Sequence, residues 1–107
     1  MIHPCDQLVV SWTTDTPSTS QVEFGVGAGS SYSGKTQESS HMVLNHLVVI
    51  PNLIPSQVYH LRAISIDQSG NVGYSTDTVT ITPKITQSAL NIVLVNLGQT
   101  FGFLGGL

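Results

Sequence analysis

The chain has 107 residues, enough for one hydrophobic core but not for two. Charge is sparse, with Lys35, Arg62 and Lys84 set against Asp6, Asp15, Glu23, Glu38, Asp67 and Asp77 for a formal net of -3. No basic patch exists to hold a phosphate backbone, which argues against nucleic-acid binding, and the lone Cys5 cannot close an internal disulfide.

The opening decapeptide MIHPCDQLVV lacks the basic segment followed by an apolar run that marks a signal peptide. If the protein is exported, the chain is expected to be the mature form. QLVVSWTT then alternates Leu8, Val10 and Trp12 on one face with Val9, Ser11 and Thr13 on the other, the period of a half-buried strand. Polar DTPSTS is expected to break it. SQVEFG resumes the alternation through Val22 and Phe24, and glycine-rich VGAGSSYSG follows as a loop.

HLVVIPNL places Val48 and Ile50 on one face, and Pro51 is expected to end that ladder because it lacks an N–H. VYHLRAISID is the longest strand candidate, with Tyr59, Leu61, Ala63 and Ser65 on one face and His60, Arg62, Ile64 and Ile66 on the other. DQSGN reads as a turn, and DTVTITP closes the pattern with Val79 and Ile81 facing inward. Short strands, turn residues between them and no helical period predict an all-β sandwich. Its expected core is Trp12, Val22, Phe24, Val48, Ile50, Leu53, Tyr59, Leu61, Val79 and Ile81.

From Gln7 to about Pro83 these stretches resemble a fibronectin type III domain of the kind found in secreted bacterial and archaeal proteins, an immunoglobulin-like sandwich. Trp12 matches the family's buried tryptophan on the second strand, Leu53 with Pro55 its leucine-x-proline, Tyr59 its tyrosine corner, and DQSGN the turn between its last two strands. The pattern is also similar to the N-terminal sandwich of purple acid phosphatases, without the metal-binding catalytic domain that follows there. The resemblance implies structural roles for Trp12 and Tyr59, an aromatic plug and a buried ring whose hydroxyl bonds backbone. One departure matters: only MIHPCD precedes Gln7, so the family's first strand is expected to be short, missing or supplied from elsewhere.

No catalytic constellation can be assembled. His3, His41, His46 and His60 have no Cys or carboxylate at ligand spacing, His46 and His60 fall on strands of different sheets, and all four are expected to be scattered over the surface. DQSGN is too short for an EF-hand loop. The serines lack a G-x-S-x-G elbow, and the glycine-rich stretch opens no amphipathic helix that would hold a phosphate. No metal, no cofactor and no enzymatic activity are expected. Ile64 and Ile66, read as outward-facing, mark a possible subunit contact.

From Ile85 to Leu107 there is no Asp, Glu, Lys or Arg. As a membrane span, Ala89–Leu107 has the length, but Asn91, Asn96, Gln99 and four glycines dilute it. As a helix it suffers from β-branched residues and asparagines. As a strand, LNIVLVNL sets Leu90, Ile92 and Leu94 against Val93, Val95 and Leu97, apolar on both faces, which suits a strand buried on both sides.

The chain therefore divides into an expected sandwich at residues 1–84 and an apolar extension at 85–107. A sandwich short of its first strand and a spare apolar strand suggest donation, the tail of one subunit filling the gap in the next. Leu90, Ile92, Val93, Leu94, Val95 and Leu97 would insert, with Phe101 and Phe103 packing beyond. Donation that does not close on itself gives a filament, and return of the tail into its own groove would give a monomer. The function expected is a structural subunit of an extracellular fibre, pilus or surface assembly, a homo-oligomer or filament. The alternative is a non-catalytic binding or spacer module of a larger secreted enzyme or adhesin, contacting other domains or cell-surface proteins.

Overall fold

The computed structural model describes residues 5–29, 31–84 and 90–101. Among them there is no helix, and the fold is all-β. Seven strands follow in order: β1 (Cys5–Val26), β2 (Gly34–Lys35), β3 (Ser39–Leu53), β4 (Val58–Ile66), β5 (Val72–Tyr74), β6 (Thr78–Ile81) and β7 (Leu90–Phe101).

β1 organises the rest, because its two halves belong to two layers. The first half lies between antiparallel β3 and parallel β7. The second half lies between β2 and β4, and β4 carries β5 and β6 on its far side. DTPSTS does not end the strand as expected. Instead the register with β3 slips there, five steps of β1 from Thr13 to Ser18 matching two of β3 from Asn45 to Val43. Such an irregularity lets one strand bend from layer to layer, and the Thr14 hydroxyl holds the bend by donating to the Thr16 carbonyl at 2.8 Å.

The two layers share one core. Leu8, Val10 and Trp12 of β1 meet Ile50 and Leu53 of β3, Val95 of β7, Val22 from the second half of β1, and Tyr59, Leu61 and Ala63 of β4. Phe24 and Val48 pack against this cluster half-buried. The Trp12 indole N–H donates across the layers to the Ser65 hydroxyl at 3.1 Å, so the largest core side chain has no unpaired polar atom.

Val79 and Ile81 do not join the core. Val79 pairs with His60 and Ile81 with Val58, and directly opposed residues share a face. Since Tyr59 and Leu61 take the core face of β4, Val79 and Ile81 point outward, Ile81 65% exposed. Alternation alone could not tell which face of an edge strand is inward.

Pro51 also behaves differently from the expectation. β3 runs on to Leu53, and the proline sits in a bulge where two steps of β1 from Asp6 to Leu8 match three of β3 from Leu53 to Ile50. Asn52 takes a φ of 61° there, a left-handed conformation that asparagine tolerates better than most residues. The next corner is closed by Tyr59, whose hydroxyl accepts from the Ile54 N–H at 3.0 Å. Thr82, buried, clamps the exit of β6 by donating to the Ile54 carbonyl and accepting from the Gln57 N–H.

Candidate functional site

The C-terminal strand occupies the side of β1 opposite β3. Its ladder runs from Cys5↔Leu90 through Val10↔Val95 to Ser11↔Asn96, then resumes at Thr13↔Thr100 and ends at Thr14↔Phe101. Two steps of β1 match four of β7 across that gap. Gly98, at a φ of 85°, absorbs the extra residues, and its N–H donates to the Asn96 side-chain oxygen at 2.7 Å. The Asn96 amide in turn donates to the Ser11 hydroxyl at 3.0 Å.

Val93, Val95 and Leu97 face inward: Val95 is a core residue at 9% exposure, and the other two pack half-buried against it. Within the expected extension at 85–107, residues 90–101 thus form a strand at the edge of the sheet, beside β1. The expectation of a strand buried on both sides is corrected. Ile92 and Leu94 point to solvent, Leu94 78% exposed, because only one layer of this fold packs against the strand. Leu90 and Phe101 enter the backbone ladder at its ends, while Phe103 and His3 lie outside the described residues.

At the start of this slot sits Asp6, opposite Leu53 on one side and Asn91 on the other. It has no exposed surface, and neither carboxylate oxygen has a hydrogen-bond partner among the described residues. A buried carboxylate without a partner is costly, so this end of the β1–β7 junction carries a destabilising element. Sequence reasoning treated Asp6 as an ordinary charge, since its alternation with Leu8 and Val10 was not extended back to it.

The other layer is covered on its outer side by a polar and aromatic cluster. Ile64 was expected to face outward as a contact residue, but it is buried at 6% exposure and Ile66 is half-buried. His60, Arg62 and Ile64 share the face the alternation assigned them. Over it Tyr32 comes from between β1 and β2, Tyr74 from the end of β5 and Asp77 from the connection between β5 and β6.

The Arg62 guanidinium lies over the rings of Tyr32 and Tyr74, at 4.8 and 4.3 Å from their centroids, and bonds Glu23. The wholly buried His60 donates from Nε2 to the Ser31 carbonyl at 2.7 Å and sets Nδ1 against the Asp77 carboxylate at 2.9 Å. Asp77 also accepts from the Tyr32 hydroxyl at 2.5 Å. Burial and then this carboxylate push the Tyr32 phenol up to about 12. Burial alone would raise the Asp77 carboxyl, but the bonds from Tyr32 and His60 hold it below its usual value. Gly25 is required here, since a side chain on it would collide with the Ser31 carbonyl and His60 Nε2.

His46 is the second buried histidine, so the expectation of surface histidines fails for His46 and His60, while His41 is exposed. His46 is stacked on Trp12, its cross-strand neighbour, with centroids 4.9 Å apart and planes 3° from parallel. Because the Thr14 hydroxyl already donates to Thr16, it accepts from His46 Nε2 at 2.9 Å, and His46 Nδ1 accepts from Ser20 at 2.7 Å. One donor and one acceptor are what a neutral imidazole offers, and burial holds the His46 pKa below its ordinary value. These histidines were hidden to sequence reasoning because their partners are hydroxyls and carbonyls from distant segments.

No group of three or more His, Cys, Asp or Glu side chains is placed to hold a metal among the described residues. No family model matches this chain, and neither the curated proteins nor the solved structures give a match. Among the described residues, the arrangement that offers a function is the β1–β7 junction.

Proposed function

We propose that this protein is a structural subunit of an extracellular fibre or surface assembly, in which β7 of one copy takes its place beside β1 of the next. The observation that carries the reading is the position of β7. It is an edge strand that among the described residues pairs with β1 alone, eight residues of chain separate its start from the end of β6, and it supplies Val93, Val95 and Leu97 to the core. Every contact that β7 makes within its own chain is available from an identical β7, the condition for strand exchange between copies. Burial of three such side chains contributes on the order of 5 kcal/mol before ordering costs. Asp6, unpaired at the mouth of the slot, lowers the stability of the closed single chain and so favours release of the strand.

The test compares the full chain with a version ending at Lys84, by light scattering and negative-stain microscopy, with and without a synthetic peptide of residues 85–107. Large oligomers or fibres from the full chain, and a truncated chain that folds only when the peptide is added, are the expected results. Folded monomers from both chains would replace this reading with a spacer or binding module of a larger secreted protein. The closed pairing of β1 with the chain's own β7 is what favours that second reading.

A further inference from the structure

We infer that the open edge of β3 at Ser39–Asn45 is a self-association surface that receives the same edge of a second copy. β3 pairs with β1 on one side, and on its other side no strand pairs with it among the described residues. None of the seven residues Ser39–Asn45 is buried, so both faces of this stretch as well as its edge are open. Met42, Val43 and Leu44 are three consecutive apolar side chains in it. A run of that kind on an exposed strand is a liability unless something covers it.

Edges are ordinarily guarded by charge, proline, bulges or short length. Across Ser39–Leu53 there is no Asp, Glu, Lys or Arg. The Pro51–Asn52 bulge lies at the far end, and within the stretch itself the register with β1 slips once, two steps from Ser18 to Ser20 matching four from Val43 to Ser39, which leaves its apolar run without a charge or a proline. In the other layer the edges are β2 with two residues, and β5 and β6 with three and four, too short to template a partner. Long uncharged edges therefore belong to one layer only, β3 and β7, and of the two β7 buries Val95 whereas Ser39–Asn45 buries nothing.

A second copy is the occupant that the chemistry favours. With no charge on the edge, there is nothing to select a charged partner. An antiparallel pair of identical edges satisfies its own main-chain donors and acceptors about a twofold axis and sets Met42, Val43 and Leu44 against their own kind. The pairing would also bring together the apolar outer rows of the two sheets. In each copy Val49, Val9 and Leu94 lie side by side across β3, β1 and β7, and Leu47, 66% exposed, stands beside Val49. Seven paired residues extend about 24 Å, a contact at the small end of specific interfaces, so the association is expected to be weak and concentration-dependent. It does not require β7 to be exchanged.

Sedimentation velocity over about a hundredfold concentration range reads the association, and hydrogen exchange locates it. The full chain is expected to gain mass with concentration, and the amides of 39–45 to gain protection in step. Leu44→Lys and Met42→Lys should each weaken the association at least about tenfold. Val72→Lys, an exposed apolar site on short β5, should leave it unchanged. Unchanged association of Leu44→Lys overturns the proposal, as does a monomer at every concentration. Growth in mass with protection confined to 90–97 also overturns it and assigns association to β7 alone. Circular dichroism of each variant checks that the fold is retained, which the exposure of Met42, Leu44 and Val72, none of them a core residue, leads us to expect.

Discussion

The two layers of this molecule treat their surfaces in opposite ways. The layer built on β4 ends in strands of two to four residues and roofs its outer face with Arg62, Glu23, Tyr32, Tyr74 and Asp77. The layer built on β3 and β7 ends in strands of fifteen and twelve residues, carries no charge on either, and leaves Leu47, Val49, Ile92 and Leu94 in solvent. Both layers feed the same core, so the contrast is not one of folding. It separates a finished surface from one that retains the means to pair.

The comparison breaks most severely at β7. Val95→Asp places an unpaired charge in the shared core and is expected to cost about 3–5 kcal/mol, read as a collapse of the urea midpoint. A midpoint near wild type would mean that β7 is dispensable to the first layer.

A change of opposite sign is expected at the other end of the same junction. Asp6→Val keeps a strand-forming residue and removes the unpartnered carboxylate, and should stabilise the single chain by about 1–3 kcal/mol. Because an identical β7 from another copy would cover Asp6 in the same way, the same variant should slow the exchange of strands between copies and leave the balance of oligomer and monomer unchanged. Tyr59→Phe tests the corner that the layers share. Loss of the acceptor for the Ile54 N–H is expected to cost about 1 kcal/mol, measured by the same denaturation.

Acid should act on the layers in sequence. His46, in the first layer, is held below its ordinary 6.5 by burial. The unfolded chain therefore binds its proton first, and the stability His46 contributes is complete above pH 6.5 and lost as pH falls below it. Asp77, in the second, is held below 3.8, so its contribution is present above that value and lost only as pH falls through and below it. Stability measured against pH should show the upper slope vanish in His46→Gln and the lower one shrink in Asp77→Asn. An upper slope that survives His46→Gln would assign it to another group.

Much of the core was legible because alternation is a local signal. Leu8, Val10, Trp12, Tyr59, Leu61 and Ala63 are buried on the face their period assigns. The errors fall where inward and outward depend on a neighbour. Val79 and Ile81 look like core residues until their pairing with His60 and Val58 sets their face, and Ile64 looks exposed until Arg62 and the tyrosines are folded over its layer. In β7 the pattern is apolar on both faces, and which of them is left bare depends on the single layer that packs against it.

By itself the sequence determined the all-β class, the turns and an uncharged C-terminal strand, because propensity, periodicity and charge act between near neighbours in the chain. The tertiary structure decided that this strand runs parallel to β1, that Asp6 is sealed beside it without a partner, that His46 and His60 are buried among polar groups, and that the edge of β3 is open. Those outcomes depend on residues as many as 87 positions apart, as Thr14 and Phe101 are in the ladder. Pairing over such separations is set by which surfaces meet in the folded core, and no local pattern encodes it.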